Sequence, residues 1–127
     1  MAYTIRCRGE AIGTTAFEYF DDGMSVAFGA FRPAAAYERV RAIFRLYAEA
    51  IPSTSAQAAD EEKLAQYYRE RDALDLEVVD AAGRVIPTGF VHICDFVEEA
   101  GEDAYEVEAQ IADRHVWEGA QGLRPTG

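Results

Sequence analysis

Residues 87–111 read PTGFVHICDFVEEAGEDAYEVEAQI, and this stretch decides the fold. It holds two runs with a period of two, separated by an acidic turn. In the first, Phe90, His92, Cys94 and Phe96 share one side, while Val91, Ile93 and Asp95 share the other. In the second, Tyr105, Val107, Ala109 and Ile111 face inward, and Glu106, Glu108 and Gln110 face outward. Such alternation marks β-strands, whose successive side chains point to opposite faces. Residues 98–103, around Gly101, make a turn too short for a crossover helix, so the two strands pair antiparallel.

Working outward from this hairpin, Leu74, Leu76 and Val78 alternate with Asp75 and Glu77 as a further strand. Asp80-Ala81-Ala82-Gly83 then supplies the first and fourth residues favoured by a type I turn. Near the N-terminus, Tyr3, Ile5 and Cys7 alternate with Thr4, Arg6 and Arg8. Residues 14–20 and 24–31 are β-prone runs on either side of Asp21-Asp22-Gly23, a hairpin signal. The middle of the chain changes period. Pro33 is expected to open a helix over residues 34–51, with Tyr37, Val40, Phe44, Tyr47 and Ile51 on one stripe. Pro52-Ser53-Thr54-Ser55 ends it in a loop, and Asp60 caps a second helix reaching Asp72, with a thin stripe of Leu64, Tyr67 and Tyr68.

The expected order is β-β-β-α-α-β-β-β. Segregated strands and helices predict an α+β fold with a mainly antiparallel β-sheet and two helices packed on one face. Residues 1–118 read as a single α+β domain. Residues 119–127, with three glycines and a proline, read as a disordered tail.

Charge removes several classes of function. Acidic residues outnumber basic ones 23 to 12, a net charge of −11, and that field repels nucleic acid and anionic membranes. No apolar run is long enough for a secretory signal or a bilayer span, so a cytoplasmic protein is expected. In that setting Cys7 and Cys94 read as free thiols. No catalytic or phosphate-loop motif is present, and no metal or cofactor is assigned.

Four residues stand out as candidates for holding a ligand. His92 and Cys94 lie two apart on one strand and face the same way. With His115 they offer metal-ligand or Cys–His chemistry, although filling an apolar face beside Phe90 and Phe96 explains them more simply. Arg6 and Arg8 share a strand face and can clamp an anion, or pair with a carboxylate such as Glu18 on a neighbouring strand. Tyr37, Tyr47, Tyr67 and Tyr68 can line a pocket between helices and sheet.

For contact with a partner protein, the acidic run Glu98, Glu99, Glu102 and Asp103 is the candidate surface, and Trp117, just beyond the last strand, anchors the C-terminus either to a partner or to the core. The expected function is a non-catalytic binding module, of the kind that inhibits a basic nuclease or toxin. The alternative is a small-molecule-binding protein or small enzyme with a pocket between sheet and helices. A homodimer is expected as well, because apolar residues on both faces of strand 87–97 call for cover on the second face.

Overall fold

The computed structural model describes residues 2–51, 58–101 and 105–121. The chain is α+β, with antiparallel strands. β1 (Tyr3–Cys7) and β2 (Glu10–Thr15) form the first hairpin, turning through Arg8 and Gly9, both at positive φ. A second hairpin follows, β3 (Tyr19–Asp21) and β4 (Val26–Ala30). The Asp21 carboxylate accepts the Met24 N–H at 3.1 Å and closes its turn.

The run 14–20 is not one strand. Thr15 ends β2 and Tyr19 begins β3, with Phe17 at φ +46° between them. There the chain leaves one sheet for the other. Nor does Pro33 open the helix. It lies in β5 (Arg32–Pro33), an edge strand beside β2, where a residue without an N–H breaks no ladder. Gly13 makes this pairing possible, because a Cβ there would stand 2.7 Å from the Arg32 carbonyl oxygen. The helical stripe then starts as a 3-10 turn (Ala35–Arg39) and continues, after Val40, as α1 (Arg41–Ala50).

Asp60 caps α2 (Glu61–Asp72) as expected, accepting the Lys63 N–H. Its thin stripe nonetheless buries Tyr67 completely against Phe44 and Tyr47 of α1. β6 (Leu76–Val79) and β7 (Val85–Ile86) flank the Asp80–Gly83 turn, with Gly83 N–H donating to Asp80 C=O. At Pro87 the chain changes sheet again, into β8 (Thr88–Asp95). The expected acidic turn begins as one helical turn, α3 (Val97–Ala100); residues 102–104 lie outside the described residues. β9 (Tyr105–Ile111) follows, with its expected inward face buried.

The strands divide between two sheets, ordered β5-β2-β1-β6-β7 and β3-β4-β9-β8. One core joins them, with Tyr3, Ile5, Ile12 and Val78 from the first and Ala27, Ile93, Val107 and Ala109 from the second. Two sheets arise because the chain crosses at Phe17, inside a run that the alternation pattern reads as continuous, and again at Pro87, where the long strand is expected to begin.

A further helix, α4 (Arg114–Ala120), follows β9 and is capped by the Asp113 carboxylate. Gly119 and Ala120, expected to begin a tail, close this helix, and Ala120 is buried; residues 122–127 lie outside the described residues. Among the described residues no helix is long and apolar enough to cross a membrane.

α1 is fastened to β8 through Asp95, whose side chain is fully buried. Its Oδ2 accepts from the Tyr37 hydroxyl at 2.7 Å and from Arg41 Nε at 3.1 Å, and Arg45 donates to its carbonyl at 2.6 Å. Removing one partner of a buried pair leaves the other charge uncompensated. Asp95→Ala is therefore expected to cost about 3–5 kcal/mol in urea unfolding. Tyr37→Phe, which leaves the ion pair intact, is expected to cost about 1–2 kcal/mol. Equal losses from the two changes would remove the ion pair from this account.

Candidate functional site

The antiparallel register of β8 and β9 builds the site. His92 stands opposite Glu108 and Cys94 opposite Glu106, so all four side chains share the outer face of the second sheet. Tyr47 from α1 and Tyr67 from α2 close over His92, with ring centroids 4.3 and 5.4 Å from the imidazole. The second face of the strand, expected to need another copy of the chain, is thus covered at His92 by the chain's own helices.

Beneath these rings lies a cavity of about 260 Å³. Tyr47, Tyr67, Tyr68 and Phe90 supply its aromatic walls, and Arg71, His92 and Glu108 its polar groups. A second space of about 360 Å³ adjoins it, sharing Arg71 and Phe90. Three of the four tyrosines expected to line a pocket do so. Tyr37 instead spends its hydroxyl on Asp95.

His92 is 6% exposed. Its Nδ1 shares a short hydrogen bond with the Tyr67 hydroxyl, and Nε2 has no partner. Burial, helped by the nearby Arg71 charge, lowers its pKa from 6.5 to about 4, so the ring is neutral at pH 7. Burial pushes the Cys94 thiol up to about 12, with the charges of Glu108 and Glu106 acting the same way. Glu108 is raised by burial and then by Glu106 beside it. A buried thiol of this kind is protonated and a poor nucleophile.

Arg71 is the cation of the site. Its guanidinium carbon stands 5.4, 5.1 and 5.7 Å from the ring centroids of Tyr67, Tyr68 and Phe90. Among the described residues its only carboxylate contact is with Asp72, the next residue, at 3.3 Å. It makes no ion pair with Glu108. The rings, with long contacts from Nε and one terminal nitrogen to Asp72, hold the fork in place at the cavity wall.

The other candidates lie elsewhere. Arg6 pairs across the first sheet with Glu77 at 3.2 Å, and Arg8, in the turn after β1, donates to the Ala73 carbonyl at 2.8 Å. The turn takes Arg8 off the strand face, so the two arginines build no clamp and neither lines the His92 cavity. Glu98 and Glu99 sit on α3 against α1, where Arg45 grips Glu99 with two bonds of 2.6 and 2.9 Å and reaches Glu98 at 3.2 Å. That pairing holds the Glu99 carboxyl below its ordinary value. Glu102 and Asp103 lie outside the described residues.

Trp117 is buried, stacked on Tyr3 and Phe20 and edge-on to Phe17, so it anchors α4 within the chain. His115 is exposed on α4 and does not join His92 and Cys94. Glu106, Glu108, Phe90 and Arg71 were not among the site residues expected from the sequence. The outward alternation of Glu106 and Glu108 was visible, but the residues facing them depend on register.

Comparison with protein-family models, curated protein sequences and solved structures returned no match.

The depressed His92 pKa has a defined consequence for stability. The unfolded chain protonates at 6.5 and the folded chain at about 4, so stability is fully present above pH 6.5 and falls as pH drops toward 4. Between about pH 7 and pH 5 the loss is about 2 kcal/mol. Glu108, held above its ordinary value by burial and then by Glu106, also faces the ring and is retained in the variant used for comparison. Urea unfolding of His92→Gln should lack this slope; an unchanged slope would place the proton uptake elsewhere.

Proposed function

We propose that the chain binds a small planar organic anion, an aromatic carboxylate being the simplest of the class, between α1–α2 and the outer face of the second sheet. The observation that carries this reading is a ring-walled cavity on which Arg71, His92 and Glu108 converge, with His92 Nε2 unpartnered among the described residues. A buried polar atom without a partner costs about 1–3 kcal/mol. A ligand that meets it recovers that energy. Arg71 adds a fixed guanidinium suited to a carboxylate, and Tyr67, Tyr68 and Phe90 offer flat apolar surface. Glu108, unpaired with Arg71, favours a hydroxyl or amine donor elsewhere on the same molecule. A cavity of 260 Å³ is near the small end of ligand sites, which sets the scale at one ring with short substituents.

The second reading, a non-catalytic module that inhibits a basic protein, is supported by the net charge of −11. Glu98 and Glu99 contribute less to it than their number suggests, since Arg41 and Arg45 already compensate them. Self-association is compatible with both readings and is measured by sedimentation.

4-Hydroxybenzoate is a suitable probe, presenting a carboxylate to Arg71 and a hydroxyl to Glu108. Calorimetric titration should give saturable binding, and amide shifts should map to residues 67–71, 90–92 and 108. Arg71→Ala should weaken binding on the order of tenfold. Binding unaffected by that change, or shifts centred elsewhere, would sink the proposal. A salt-sensitive complex with a basic protein, in the absence of any small-molecule binding, would favour the second reading.

A further inference from the structure

We propose that Cys94, Glu106 and Glu108 form a binding site for a zinc-class divalent cation on the outer face of the second sheet. The site follows from strand register. Cys94 faces Glu106 and His92 faces Glu108 across neighbouring strands, a two-by-two square of metal-ligating residue types. The Cys94 sulfur and one carboxylate oxygen from each glutamate lie within 4.8 Å of one another. Tetrahedral zinc holding one sulfur and two oxygens needs ligand atoms roughly 3.5 Å apart.

Two further observations point to a ligand here. Among the described residues, no cation pairs with Glu106 or Glu108, although arginines pair with many of the chain's other carboxylates. His92, 6% exposed and with Nε2 unpartnered, lines the same cavity as Glu108. Solvation accounts for Glu106, which is exposed. Glu108 is half-buried beside a thiol and shares a side-chain hydrogen bond with Glu106, so the two carboxyl groups already converge on one point.

The donor set selects the metal. A sulfur with carboxylates, and an imidazole alongside, suits zinc, whereas magnesium and calcium take oxygen donors alone. The thiol releases its proton as the metal–sulfur bond forms. Exposure of Glu106 leaves an entry path for the ion. Three protein ligands leave a fourth position for water. The metal site shares Glu108 with the proposed anion cavity, and the cobalt readout separates the two because it reports the Cys94 thiolate, which the anion reading does not use.

The test uses the whole chain, stripped with a chelator and titrated with Co²⁺. A thiolate-to-cobalt charge-transfer band should appear at one equivalent and be displaced by Zn²⁺. Cys94→Ser should abolish the band, and Cys7→Ser, which removes the other free thiol, should keep it. Glu106→Gln and Glu108→Gln should each weaken Zn²⁺ binding on the order of tenfold or more. Circular dichroism checks that the variants fold, and the titration of the unaltered chain needs no variant at all. Absence of the band in the unaltered chain, or its loss in Cys7→Ser with survival in Cys94→Ser, would overturn the proposal. The readout does not involve Arg71, so 4-hydroxybenzoate binding stands or falls independently.

Discussion

A single buried carboxylate fixes how the helices meet the strands. Asp95 ends β8 with its side chain out of water, where a charge is tolerated only when paired and hydrogen-bonded. Tyr37 and Arg41 supply those bonds from the 3-10 turn and the start of α1. Arg45, one turn further on, takes the Asp95 carbonyl and then grips Glu99 on α3. The helix is thereby held against the strand at one end. Tyr47, near its other end, then falls over His92. Because strand side chains alternate, the anchor and the site occupy opposite faces of β8: Asp95 points one way, His92 and Cys94 the other. The geometry of the cavity thus depends on an ion pair that does not line it.

Much of this was legible along the chain because it depends on local period. The inward face of β9, the stripe through Tyr37, Val40 and Phe44, and the Asp60 cap all follow from residues a few positions apart. The antiparallel α+β class follows from the same patterns. What was not legible depends on long-range pairing. Phe17 and Pro87 carry the chain between sheets, but a bend within a β-prone run and a break in one have the same alternation on either side. α4 has a capping aspartate, yet its seven residues hold too little apolar periodicity to stand out, and tertiary packing of Trp117 stabilises it instead. The tyrosine pocket was foreseeable in kind. That Glu108 rather than His115 faces His92 required the register.

The arginines show how an acidic chain uses its few cations. Arg41 and Arg45 tie α1 to β8 and α3, Arg84 closes the turn at Asp80, and Arg114 bridges to Asp22. Each sits against a carboxylate distant in sequence or across a turn. Arg71 differs from these four, paired weakly with its own neighbour and held chiefly by three aromatic rings. Stacking preserves the charge and holds it at the cavity wall, which is what separates a group positioned for a ligand from one positioned for stability.

The opposite imbalance lies a few residues away on the same face. Glu106 and Glu108 repel each other on one strand, with Cys94 and His92 across from them and no cation between. Like charges side by side destabilise a sheet, and burial of Glu108 adds to the cost. A strand needing only a polar outer face is served better by threonine, which favours the extended backbone and carries no charge. A weakly paired cation, an unpartnered imidazole nitrogen and an uncompensated carboxylate pair on one covered face are three separate departures from stability. A site that receives ligands gives all three the same cause.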